Sequence, residues 1–111
     1  MNNESWTVRK STTVNTDYIG ILRWTERHFG REQARIYART LGTALLDLRG
    51  GPNIVGSHLC TDLANNIYTL HVARKGFAGR HFVVFRANDA SRQIDVLRIL
   101  HDSMDLKRHL H

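Results

Sequence analysis

The sequence predicts an α+β domain in which an N-terminal helical hairpin packs on one face of a mainly antiparallel sheet of three to four strands. Two observations predict this class. From residue 14 to residue 48, apolar side chains recur every three or four positions, interrupted only at Gly30. From residue 67 onward, short runs rich in Val, Ile, Tyr, Phe and Thr alternate with clusters of Gly, Asn, Asp and Ser. A third observation complicates the sheet. Phe82, Val83, Val84 and Phe85 are consecutive, and Ile94, Val96, Leu97, Ile99 and Leu100 nearly so. A strand apolar on both sides needs cover on both. The hairpin supplies one cover; a tail or another protein must supply the other.

Each element arises from local chemistry. Residues 6–9 form a short strand. Ser11, Thr12 and Thr13 are candidate N-caps for a helix whose buried stripe is Val14, Tyr18, Ile21, Leu22, Thr25 and Phe29. Gly30 stops it. A second helix starts near Arg31, buries Ala34, Tyr37, Ala38, Leu41, Ala44, Leu45 and Leu48, and ends at Gly50-Gly51-Pro52. Two amphipathic helices on a tight link make an antiparallel hairpin. Residues 53–66 read as a loop, 67–74 as a strand and 75–80 as a long hairpin connection in which Gly76 and Gly79 are turn residues. Two further strands, 81–87 and 93–101, flank a turn at 88–92. Residues 106–111 suggest one or two helical turns.

At 111 residues the chain is expected to be a single domain, 1–111. It has no apolar run long enough to span a membrane. Its first residues lack the features of a secretory signal, and its single cysteine, Cys60, precludes an internal disulfide. A cytoplasmic location is the expectation. The net charge of +6 suits an acidic partner. The excess is spread along the chain: eight Lys/Arg against six Asp/Glu up to Ile67, and eight against four from Tyr68. Charge alone therefore leaves direct nucleic-acid binding open.

The last third carries a family resemblance. Ile94-Asp95-Val96-Leu97-Arg98-Ile99-Leu100-His101, followed by Asp102-Ser103-Met104-Asp105, resembles the closing signature of ParE-type toxins in the RelE/ParE toxin–antitoxin superfamily. His81-Phe82-Val83-Val84-Phe85-Arg86 is similar to the aromatic strand before it. The resemblance implies a plasmid-stabilisation type of toxin, neutralised in a hetero-oligomer by an antitoxin that covers the doubly apolar strands. It implies no cofactor. ParE members poison DNA gyrase without a hydrolytic site, whereas RelE members cleave mRNA on the ribosome. In this sequence Phe82 stands where the ribonuclease arginine is expected. Two aspartates, Asp102 and Asp105, flank the segment where RelE carries a basic cluster. Both departures favour a gyrase-directed toxin over a nuclease, because a phosphorane needs cations.

On this resemblance, target contacts fall on Arg98, His101, Met104, Lys107 and Arg108, and antitoxin contacts on Arg74, Phe82, Val84 and Arg86. No catalytic residue is expected for the gyrase reading; for a nuclease the candidates are Arg80, Arg86 and His101. Structural roles compete with these. His101 suits a strand-end hydrogen bond to Asp102 or a carbonyl, and Arg98 an ion pair with Asp95 or Asp102. Arg23, Arg27 and Arg31, continued by Arg35 and Arg39, form a basic helical stripe that suits DNA, gyrase, an acidic antitoxin or plain solvent, with Glu26 and Glu32 as partners. No His or Cys spacing matches a zinc site, and Cys60 lacks the setting of a nucleophile. A ribbon-helix-helix DNA-binding module also fits the first half, but leaves residues 68–111 without a purpose.

Overall fold

The computed structural model describes residues 5–61, 65–104 and 106. The strand β1 (Thr7–Lys10) leads into α1 (Thr12–Phe29) and α2 (Arg31–Asp47), which a 3₁₀ turn at Leu48–Gly50 closes. Ser11 caps α1, its Oγ accepting the Val14 N–H at 3.1 Å. Gly30 links the helices at φ 96°, a conformation that a Cβ would oppose. Its N–H still donates to the Glu26 carbonyl at 2.9 Å, so the link closes α1 tightly.

Four more strands complete the chain: β2 (Ser57–Leu59), β3 (Ile67–His71), β4 (His81–Asn88) and β5 (Gln93–His101). The five-stranded sheet has the order β1-β5-β4-β3-β2, with β1 parallel to β5 and every other pair antiparallel. This corrects the sequence reading in two places. Residues 53–66 contain an edge strand, and the sheet has one strand more than the upper expectation. Residues 72–74 lie outside β3.

One sheet face and the hairpin share the main core, which includes Val14, Leu41, Leu48, Leu70, Val83, Phe85, Ile94, Val96 and Ile99. The other face carries a small cluster of Ile67, Val84 and Leu100. Cys60, Phe82, Leu97 and Leu106 pack against it, so a residue beyond β5 supplies part of the second cover.

Strand β5 changes register midway. Val84 pairs with Arg98 but Phe85 pairs with Val96, leaving Leu97 unmatched in a β-bulge. The core stripe consequently steps by two from Ile94 to Val96 and then by three to Ile99. Arg98 emerges toward α1. There the Asp17 carboxylate accepts Arg98 Nε at 2.9 Å, Arg98 Nη2 at 3.0 Å and the Ile99 backbone N–H at 2.9 Å. Arg98 therefore pairs with Asp17, not with Asp95 or Asp102 as the sequence suggested. Asp95 is taken by Arg9 at 3.1 Å.

Asp17 is largely buried, and removing it strands both a guanidinium and a backbone N–H. Asp17→Ala is expected to lower the unfolding free energy by about 2–4 kcal/mol in urea titrations. The Asp17→Ala/Arg98→Ala double variant should lose clearly less than the sum of the single losses. Additive losses would show that the pair is uncoupled.

Candidate functional site

Alongside the hairpin and the end of β5 lies an open groove of about 1070 Å³. Residues from both helices form its walls, and the β3–β4 connection (76–80) with the C-terminal half of β5 closes it. The walls are apolar and partly bare: Trp24 is 51% and Phe29 62% exposed, with Ile36 and Met104 also exposed. Large apolar side chains left open along one groove mark a surface made to be covered.

Polar groups gather at one end, where the β3–β4 connection meets β5. Tyr37 of α2 accepts the Arg80 N–H at 3.1 Å and contacts His81 Nδ1 at 2.7 Å. Burial, and the neighbouring His101 next, push the His81 pKa down from 6.5 to about 4. Burial likewise raises the Tyr37 phenol above its ordinary value. The His81 and His101 rings meet edge to face at 5.3 Å.

Asp102 ties this end together. Its oxygens accept Arg80 Nε at 3.3 and 3.2 Å and Arg80 Nη2 at 3.2 Å. Asp102 Oδ2 also lies 3.0 Å from His71 Nε2. His71 Nδ1 accepts the Ala73 N–H at 3.0 Å, which places the His71 proton on Nε2, facing the carboxylate. The bond from Arg80, then that from His71, hold Asp102 at a pKa of about 2. His101 bonds Ser103 Oγ at 2.8 Å and stands 3.7 Å from Asp102. Gly79 makes room for the cluster: a Cβ there would come within 2.7 Å of Val72 and 2.8 Å of the Tyr37 hydroxyl. Its role is close approach as well as turning.

The expected site residues divide accordingly. Arg80, Arg98, His101 and Met104 line the groove. Lys107 and Arg108 lie outside the described residues, as does Asp105. Arg86 is exposed near the far end of β4, five residues or about 17 Å along the strand from His81, so it does not join Arg80 and His101. The four antitoxin candidates do not form one surface. Val84 is fully buried, Phe82 is half-buried in the second-face cluster, and Arg74 is held by Asp47 at the end of α2. Only Arg86 of the four is open to a partner. Sequence reasoning missed Asp17, Tyr37 and His81. The helical period identified Asp17 and Tyr37 as parts of α1 and α2, but nothing local announced which strand residue each would meet. Among the described residues, no group of three or more His, Cys, Asp or Glu is placed to hold a metal ion, and no helix is long and apolar enough to cross a membrane.

A hairpin on a five-stranded mixed sheet is the fold of RelE/ParE-like toxin structures. The chain belongs to the ParE toxin family of type II toxin–antitoxin systems, whose family model matches residues 8–106. No curated protein matches it in sequence. Solved structures share its fold. The chromosomal ParDE system of P. aeruginosa aligns at a TM-score of 0.70 and 16% identity, over 89% of this chain and 98% of that one. The RelBE2 toxin–antitoxin complex of Mycobacterium tuberculosis aligns at 0.58 and 25%, over 87% and 98%. The isolated E. coli RelE toxin aligns at 0.57 and 13%, over 96% and 100%.

The low His81 pKa has a consequence for stability. Between pH 6.5 and about 4 the unfolded chain takes up a proton that folded His81 refuses, so stability is full above that window and falls through it. The depressed Asp102 pKa acts lower, its contribution present above pH 3.8 and lost toward about 2. Thermal midpoints measured against pH should therefore fall from pH 6.5 to about 4 in the native chain and flatten in His81→Gln. An unchanged profile in the variant would place the titration elsewhere.

Proposed function

We propose that this toxin acts in the cytoplasm by binding DNA gyrase rather than by cleaving RNA, and that an antitoxin segment neutralises it by lying in the groove. The observation that carries the first half is electrostatic. The two guanidiniums lining the groove, Arg80 and Arg98, are each already held by a carboxylate, Asp102 and Asp17. A cation engaged in this way gives little to an anionic phosphorane, and Asp102 stays ionised at any physiological pH. A protein target needs no such cation; it needs shape and a few exposed anchors. The match to the ParE family model supports the same reading.

The second half rests on the bare apolar walls. Trp24, Phe29, Ile36 and Met104 together offer anchors to an amphipathic segment. The P. aeruginosa and M. tuberculosis relatives carry toxin–antitoxin systems in their names, which supports a partner of that kind here. The target contacts belong to the polar end and its C-terminal continuation: His101, Met104 and the segment with Lys107 and Arg108. Arg98 is better assigned to the clamp on Asp17.

One observation favours the alternative, a ribosome-dependent mRNA endonuclease. Tyr37, His81 and His101 converge beside Arg80, and paired imidazoles can serve as acid and base in phosphodiester cleavage.

Two assays on one purified toxin decide between them. The expected outcome is inhibited gyrase supercoiling with accumulated cleavage complexes, and no codon-phased breaks in mRNA on translating ribosomes. His81→Gln should leave gyrase inhibition within about twofold of the native chain, since the phenol–imidazole pair has no chemistry to perform in this reading. Phased mRNA breaks that vanish in His81→Gln, with supercoiling untouched, would establish the nuclease.

A further inference from the structure

The arginines of the hairpin differ from those of the groove. Residues 23–39 hold Arg23, Arg27, Arg31, Arg35 and Arg39 against Glu26 and Glu32; five positive and two negative charges leave +3, half of the chain's excess of +6. All five are exposed. Arg35 is bound to Glu32 at 2.9 Å, whereas Arg23, Arg27, Arg31 and Arg39 form no ion pair with any described residue. Structural ion pairing among the described residues therefore does not account for them.

Aromatic rings stand among these charges. Trp24 and His28 stack at 4.0 Å with an interplanar angle of 22°, and Phe29 meets Trp24 edge-on at 5.7 Å. Trp24 and Phe29 keep half or more of their surface in solvent. On a helix Arg27 sits about 60° around from Trp24 and under one turn further on, so guanidinium and indole share a face. Glu26 lies about 160° away from Trp24, on the other side of the helix. Arg31 comes directly after the Gly30 link, at the same end of the hairpin.

We infer that the closed end of the helical hairpin, which carries Arg23, Arg27 and Arg31 together with the exposed rings of Trp24 and Phe29, binds single-stranded nucleic acid. The unpaired guanidiniums supply phosphate contacts that track a backbone. The exposed rings supply faces on which unstacked bases lie, and a duplex keeps its base faces hidden. An acidic polypeptide also answers the charge; the two exposed rings beside it favour a single strand, which brings a flat base face with every phosphate. Trp24 and Phe29 also line the groove, so a segment docked there would cover this surface; the binding belongs to the uncovered toxin.

Fluorescence anisotropy of labelled poly(dT) and poly(U), with a duplex of the same length and polyglutamate as comparators, tests this on the native chain. Both single strands should bind more tightly than the duplex. Three phosphate contacts predict a slope of about −2 for log affinity against log salt. Arg23→Glu/Arg27→Glu should weaken binding at least about tenfold, and Trp24→Ala about tenfold, while Trp24→Phe retains most of the affinity. All these positions are exposed, and thermal unfolding of each variant confirms that the fold is kept. Absence of single-strand binding at low salt would overturn the inference. So would polyglutamate displacing poly(dT) as readily as poly(U) does, with Trp24→Ala without effect; the surface would then be one for acidic proteins.

Discussion

The Asp17 carboxylate is the interaction on which the architecture of the site depends. It receives two donors from Arg98 and one from the Ile99 backbone, joining the first helix to the last long strand across 81 and 82 residues of chain. Each charge-assisted hydrogen bond of this kind is worth about 1.5–3 kcal/mol, and the geometry adds direction. A β-bulge at Leu97 costs a ladder position and turns the strand. By accepting the Ile99 N–H and neutralising Arg98, Asp17 stabilises that turn. Beyond it Ile99 enters the core and Leu100 the opposite face, and His101 and Asp102 arrive beside Arg80. Without the bulge these residues would change faces, because strand side chains alternate.

The polar end of the groove shows a second constraint. Asp102 is exposed enough to be solvated, yet the Arg80 guanidinium and the His71 ring orient it and keep it ionised. Around it the neutral groups stay neutral: burial holds His81 unprotonated and Tyr37 protonated at ordinary pH. The result is a fixed set of dipoles and two closed ion pairs, Arg80–Asp102 and Arg98–Asp17, in a largely apolar trough. Such a surface reads shape and hydrogen-bond pattern, which suits a protein partner. Half of the chain's charge excess lies instead on the hairpin between residues 23 and 39, where Arg23, Arg27, Arg31 and Arg39 are exposed.

Much of this architecture was legible in the sequence. The hairpin was clear because its apolar period runs unbroken on both sides of Gly30 and its caps are local. The strands at 81–87 and 93–101 were clear because their apolar content leaves little choice. The edge strand Ser57–Leu59 escaped because it is three residues long, mostly exposed, and owes its form to pairing with β3 rather than to its own composition. The bulge left a trace, the step from Val96 to Ile99 where a strand should step by two, but neighbouring Leu97 and Leu100 masked it. The partner of Arg98 was beyond reach: Asp95 and Asp102 are near in sequence, whereas Asp17 becomes near only once α1 packs on β5. Tyr37 was read as core, correctly for its ring; its hydroxyl reaches His81 across 44 residues. Val84 was taken for a docking surface because nothing in the sequence says that Ile67, Leu100 and Leu106 already pack around it.

If the Asp17 clamp shapes the site, its mark is on one amide. Native-state hydrogen exchange of the Ile99 N–H, compared between the native chain and Asp17→Asn, reads it directly. The clamp predicts strong protection in the native chain and exchange faster by at least about tenfold in the variant, at Ile99 and its neighbours in the bulge. Val83 and Phe85, on the adjoining strand, should keep their protection relative to global unfolding. Equal protection of Ile99 in both proteins would show that the sheet alone holds the bulge and that Asp17 merely accompanies it.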